Sequence, residues 1–152
     1  MQIENLNIYL SGEIHTNWRE SLIKEIENIK LPIKFFSPVT NHNNSDDCGA
    51  EILGKEEKKF WHDYKGATIN SLRNTSLIKK SDIVIIKFGE KYKQWNAAFD
   101  AGVSIGLNKQ IITIHDSNLD HALKEIDAAA NAVCRNNSQV IKILNYIITG
   151  NL

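Results

Sequence analysis

Cysteine, proline and net charge are all scarce in this chain, and each scarcity excludes something. Two cysteines, Cys48 and Cys134, with no C-x-x-C pair, make no disulfide framework, which points to a reducing, cytoplasmic setting. Eighteen basic side chains cancel eighteen acidic ones, so there is no electrostatic footprint for nucleic acid and no basic stripe for a membrane surface. No apolar run approaches the roughly 20 residues of a membrane-spanning helix. The stretch Met1 to Tyr9, with Glu4 in it, lacks the basic and apolar regions of a signal peptide. Two prolines, Pro32 and Pro38, fall where elements should end. What is present is ordinary: 152 residues, 42% hydrophobic and 24% charged, are expected to form one domain (1–152) whose core needs neither disulfide nor metal.

The apolar run Leu6 to Leu10 reads as a strand ending at Ser11-Gly12. Asn17, three residues before Glu20, is a capping-box-like start for a helix carrying Trp18, Leu22, Ile26 and Ile29 on one face. Pro32 stops it, and Ile33 to Phe36 forms a second strand closed by Pro38. Residues 39–49, rich in Asn and Asp, read as the longest loop. Helices are expected over Ala50 to Tyr64 and Ala67 to Lys80, separated by Gly66. Ile83 to Ile86 is a run of branched apolar residues, the mark of a strand buried on both faces. A helix from Trp95 to Leu107, a buried strand Ile111 to Ile114, a helix from His121 to Ala130, a short edge strand Ala132 to Cys134 and a helix capped by Ser138 complete the chain. Strands alternating with helices imply a three-layer αβα fold around a parallel sheet of about five strands, flavodoxin-like or Rossmann-like.

In such a sheet, ligands bind outside the carboxyl ends of the strands. The segments Ser11 to Asn17, Ser37 to Gly49, Phe88 to Asn96 and His115 to Asp120 are therefore the candidate site loops. His15 is a candidate proton donor or a loop histidine bonded to backbone. Arg19 reads as a surface ion pair or, less well, a phosphate ligand. Trp95 divides evenly between base stacking and core, whereas Trp61 reads as core. His42, Asp46, Asp47 and Cys48 match no zinc spacing and read better as part of a substrate-covering loop than as metal ligands. Gly102 and Gly106 share a helix face and permit close backbone approach.

Two passages carry a resemblance. The run Ile8-Tyr9-Leu10-Ser11-Gly12-Glu13 resembles the first strand and turn of the nucleoside 2-deoxyribosyltransferases, where an aromatic-leucine-small-glycine run opens the pocket. Residues 81–110 resemble that superfamily's central strand, variable loop and catalytic helix. The passages GEIHTNWRE, SDDCG and KYKQWNAAFDAG are similar, more narrowly, to its YtoQ branch. The resemblance implies a helix-borne carboxylate that attacks the anomeric carbon of a nucleoside or nucleotide, with departure of the base. It places that nucleophile on Asp100, where the family usually has Glu. Two other acids of the transferases fall on Asn74 and Gln94, which keep hydrogen-bonding capacity without the charge. Tyr9, Gly12, Glu13, Asn74, Gln94, Trp95 and Asn96 are then the expected substrate-binding residues, with Glu13 holding a ribose hydroxyl, and Asp100 and His15 the catalytic ones. No cofactor or metal is implied. The partner is a small nucleoside or nucleotide, and the family's habit implies a homo-oligomer.

Two functions follow. One is an enzyme of N-glycosidic bonds, a deoxyribosyl transferase or a nucleoside or nucleotide hydrolase. The other, favoured by the amides at 74 and 94, is a nucleotide or sugar-nucleotide binder that uses the same pocket without cleavage.

Overall fold

The computed structural model describes residues 5–152; Met1–Glu4, on which part of the signal-peptide reading fell, lie outside them. Five strands, β1 (Leu6–Gly12), β2 (Ile33–Phe36), β3 (Ile83–Lys87), β4 (Gln110–Ile114) and β5 (Ala132–Cys134), form one sheet in the order β2-β1-β3-β4-β5. Every neighbouring pair is parallel, with Ile8 opposite Phe35 on one side and Ile83 on the other. Five α-helices connect them, α1 (Trp18–Asn28), α2 (His42–Leu53), α3 (Lys59–Lys80), α4 (Trp95–Gly106) and α5 (Asp120–Ala129), and α6 (Asn137–Thr149) follows β5. This is the expected αβα architecture in its flavodoxin-like order.

The two-residue strand period sorts the core into two layers. Leu6, Ile8 and Leu10 of β1, with Ile83 and Ile85 of β3, meet Trp18, Leu22 and Ile26 of α1 and Val140, Leu144 and Ile148 of α6. Tyr9, Val84 and Ile86 point to the opposite face and meet Ile78 of α3, Ala97 and Ala101 of α4 and Leu123 of α5. Val84, Ile85 and Ile86 are fully buried, each worth about 1.5–3 kcal/mol of apolar burial. The same alternation carries Ser11 to the Tyr9 face, beneath α4, which matters for the site.

The region between β2 and β3 departs from the sequence reading. Residues 42–49, expected in a loop, are helical: Asn41 caps α2 by accepting a hydrogen bond from Asn44 N at 3.1 Å. Gly66 does not separate two helices but lies buried inside the 22-residue α3. The break comes earlier, at Gly54, which sits at φ +92°. The reason is a close helix crossing. A Cβ on Gly49 would overlap the backbone of Lys65 and Gly66, and one on Gly66 would come within 2.9 Å of Asp46 O. Both glycines are demanded by contact rather than by a turn. Trp61, read as core, is 48% exposed at the overhanging start of α3, clustered with Phe60 and Tyr64.

Smaller corrections concern the caps. Asn17 precedes α1 without a side-chain cap bond, and α6 is capped by Asn136, which accepts from Gln139 N at 3.0 Å, rather than by Ser138.

Candidate active site

The chain leaves β1 toward β2 on one side and returns to β3 on the other, so the loops after β1 and β3 diverge. That opening is the topological switch point of the sheet. Gly12 ends β1 at φ +101°, and a Cβ there would overlap Lys87 O on the neighbouring strand. The close approach lets Glu13 N donate to Lys87 O at 2.9 Å, extending the β1–β3 pairing past the strand end.

Arg19, expected at the surface, is 5% exposed and lies under this turn. Its guanidinium donates to Leu10 O at 3.3 Å, Gly12 O at 3.0 Å and Glu13 O at 2.5 Å, and it rests over the Trp18 ring. It is neither a surface ion pair nor a free phosphate ligand; the planar fork satisfies carbonyls that the strand end leaves without partners. Glu13 is also buried, and its carboxylate is engaged by its own turn, accepting from His15 N and from Thr16 Oγ1 at 2.5 Å. Burial raises its pKa, but those hydrogen bonds and the nearby Lys87 prevail and hold it below the ordinary value.

Asp100, sixth residue of α4, reaches the strand-one turn. Ser11 Oγ, fully buried, donates to Asp100 Oδ2 at 2.6 Å. Burial pushes the Asp100 carboxyl above its usual range, against the lowering effects of the Ser11 hydroxyl and the Arg19 charge. Tyr9 lies on the same face; burial, reinforced by the charge of Asp100, pushes its phenol well up, so it stays protonated. Three buried side-chain atoms of this neighbourhood have no hydrogen-bond partner: Tyr9 Oη, Asn74 Oδ1 and Gln94 Nε2. Gln94 is otherwise held, its Oε1 accepting from Gly89 N at 2.8 Å. A side chain on Gly89 would strike Glu13 Cγ at 2.5 Å and Gln94 Nε2 at 3.1 Å, so glycine lets the two loops meet.

The remaining nominated residues form a rim. His15 is exposed, its ring 4.8 Å from Tyr92 and 6.2 Å from His42 at the start of α2. Trp95, 72% exposed, and Asn96, also exposed, open α4. Tyr92 at φ +117° and Gln94 at φ +42° hold left-handed backbone without being glycine, a strain found where loops serve a site. Tyr9, Glu13, Gln94 and Asp100 thus lie close about the β1 turn, while His15, Trp95 and Asn96 stand outside it.

Two residues were not singled out from the sequence. Ser11 was legible in principle, since the strand period puts it on the Tyr9 face. Arg73, next to Asn74 on α3, carried no motif signal. Its Nη1 donates to Ser37 O at 2.8 Å, which brings the guanidinium to the carboxyl end of β2.

Among the described residues one group could hold a cation: His115, Asp120 and Asp127. Arg135 already supplies the positive charge there, donating to both Asp120 oxygens at 2.6 and 3.2 Å. Of the other cluster considered, Asp47 pairs with His62 at 3.2 Å and Cys48 Sγ lies on Ser45 O and Gly66 O, so those groups do not converge.

Comparison with known proteins places the chain. The family model described as nucleoside 2-deoxyribosyltransferase YtoQ matches residues 9–148. The chain is 44% identical over 140 residues to the uncharacterized protein YtoQ of Bacillus subtilis strain 168, covering 92% of this chain and 95% of that one. In fold it is similar to the 2-deoxyribosyltransferase of Bacillus psychrosaccharolyticus, with a TM-score of 0.57 and 20% identity over 89% of this chain and 90% of that one. It is also similar to a conserved protein from Enterococcus faecalis V583, with a TM-score of 0.63 and 11% identity over 92% and 97%.

Proposed function

Because this chain belongs to the nucleoside 2-deoxyribosyltransferase YtoQ family, we propose that it acts on N-glycosidic bonds of deoxynucleosides or nucleotides, with Asp100 as nucleophile. The observation that carries the reading is a half-buried carboxylate at the switch point, aimed by the 2.6 Å hydrogen bond from Ser11. An Asp100 oxygen bonds to the anomeric carbon as the carbon–nitrogen bond breaks. The bonding pair leaves with the base, which takes up a proton. A second base or water then attacks the same carbon and frees the carboxylate. Positive charge on the sugar in the transition state favours an anion beside it.

The orphaned atoms of Tyr9, Asn74 and Gln94 match a ligand carrying hydroxyls, donor against acceptor. His15 on the rim is the candidate donor of the leaving-group proton, and Trp95 and Asn96 the candidate contacts of the base. The outer face of α4 suits a second copy of the chain: Trp95, Phe99, Gly102, Ile105 and Gly106 are exposed and none is charged. We place the protein in the cytoplasm as a homo-oligomer without a cofactor.

A second reading, a binder that does not cleave, is supported by amides at 74 and 94, which cannot deliver a proton as an acid does. Incubation with a panel of deoxynucleosides and 5′-nucleotides plus free bases, followed by chromatography, separates the two. Base exchange or release by the wild type, absent in Asp100→Asn, supports the enzyme. Ligand-dependent thermal shifts with every substrate intact support the binder.

A further inference from the structure

Arg73 is a cation without an anion. Among the described residues no carboxylate lies within ion-pairing distance of it, whereas of the other two arginines Arg135 pairs with Asp120 and Arg19 is spent on backbone carbonyls. Its one hydrogen bond, to Ser37 O, uses a single nitrogen and leaves the outer edge of the guanidinium open. The position is specific. Tyr9 is in register with Phe36, so Ser37 lies level with Leu10, the residue before Ser11. The charge of Arg73 acts on the Tyr9 phenol, as does that of Asp100, so both groups lie within electrostatic reach of the same buried hydroxyl.

The charges around the mouth point the same way. The loop after β3 carries Lys91 and Lys93, neither in an ion pair among the described residues. Lys91 Nζ lies 5.7 Å from the Tyr92 ring, and that ring stands beside His15. The acids nearby are already engaged. Glu90 accepts from Asn118 Nδ2 at 2.9 Å, Glu13 is held by its own turn with Lys87 nearby, and Asp46 faces His42 at 3.8 Å. The rim thus carries Arg73, Lys91 and Lys93, none of them in an ion pair among the described residues.

We propose that this site takes a phosphorylated ligand, a nucleoside 5′-monophosphate in preference to the neutral nucleoside, with Arg73 receiving the phosphate. The inference rests on the reading of Asp100 as the group facing the anomeric carbon. A guanidinium fork matches two phosphate oxygens at once, while Asn74, next to it on α3, keeps an unpartnered buried oxygen for a sugar hydroxyl. The amide at 74 is consistent with this ligand, because a carboxylate there would repel the phosphate.

Calorimetric titration of the full chain with the four deoxynucleosides, their 5′-monophosphates and inorganic phosphate tests it. The monophosphate should bind at least about tenfold tighter than its own nucleoside, as one added charge-assisted contact gives. That advantage should shrink in high salt. Arg73→Gln should bring the ratio of the two affinities close to one, and Arg73→Lys should retain part of it. A purely structural role for Arg73 would weaken both ligands together and leave the ratio alone, which overturns the proposal. Equal affinities in the wild type overturn it too, while base exchange on neutral nucleosides would leave the enzymatic reading standing. Inorganic phosphate binding as tightly as the nucleotide would show a plain anion site and also overturn it. No binding of any of the three, with no base exchange, removes both readings.

Discussion

Two polar clusters occupy the carboxyl edge of one sheet and are built on opposite terms. Beyond β4 and β5, His115 is 2% exposed and fully engaged: Nε2 donates to Asp127 Oδ2 at 2.8 Å, and Nδ1 faces Asp116 O at 2.9 Å. Thr113 Oγ1 donates to the other Asp127 oxygen, and Arg135 closes the outside on Asp120. About the β1 turn, Tyr9 of β1, Asn74 of α3 and Gln94 just before α4 each keep a buried atom with no partner. An orphaned buried polar group costs about 1–3 kcal/mol. One cluster therefore joins β4, β5 and α5, and the other carries a cost that a bound ligand would relieve. Their difference sets a satisfied polar network apart from the proposed site more sharply than residue type does, since both hold an Asp, a hydroxyl and an Arg.

The largest break in that comparison is Asp100→Asn. Turnover should fall at least about a thousandfold, as for loss of a nucleophile, while the chain stays folded in circular dichroism. The pH dependence has a definite sign. Burial raises the folded pKa of Asp100 above its unfolded value, so the folded state holds that proton more tightly. This contribution favours folding at acid pH and is lost as pH rises through the raised folded value. Activity, which needs the anion, should fade on the acid side at a pH above the usual carboxylate range. A stability difference between wild type and variant that does not change over the acid range would contradict the assignment.

His115→Ala attacks the other cluster. It leaves the half-buried Asp127 without its histidine partner and should lower unfolding stability by about 2 kcal/mol in urea titrations; a loss below about 1 kcal/mol would mean that the network does not join these elements. Tyr9→Phe runs in the opposite direction. Removing an orphaned hydroxyl should raise stability by about 1 kcal/mol and weaken ligand binding. A destabilised Tyr9→Phe would reveal a partner for that hydroxyl and place the site on the same terms as the His115 network.

The strands were legible in the sequence because burial on both faces writes itself as runs such as Ile83 to Ile86, and the carboxyl-edge rule then located the site loops. Helix α2 was not legible. Its stability comes from the Gly49–Gly66 crossing and the Asn41 cap, while its own Asn and Asp residues spell loop. Arg19 misled for a related reason, since its partners are backbone carbonyls and leave no pattern in side-chain identity. Of the candidate site, Tyr9, Asn74, Gln94 and Asp100 were nominated through family resemblance and physical position, whereas the Ser11 contact and the open Arg73 required coordinates.

The smallest effect belongs to Asp120→Asn, and it asks where the satisfied cluster ends. The hydrogen bond from Arg135 holds the Asp120 carboxyl below its ordinary pKa. A lowered folded pKa contributes stability above the unfolded value, and that contribution is lost as pH falls through the folded one. Both groups are solvent-facing, with side chains 42% and 49% exposed, so screening should leave the pair weak. The variant should then unfold slightly more easily at neutral pH, match the wild type in acid, and lose most of its deficit in high salt. A deficit as large as that of His115→Ala, unmoved by salt, would instead make the Asp120–Arg135 pair part of the buried network. The boundary between core and surface at β5 would then lie one residue shell further out.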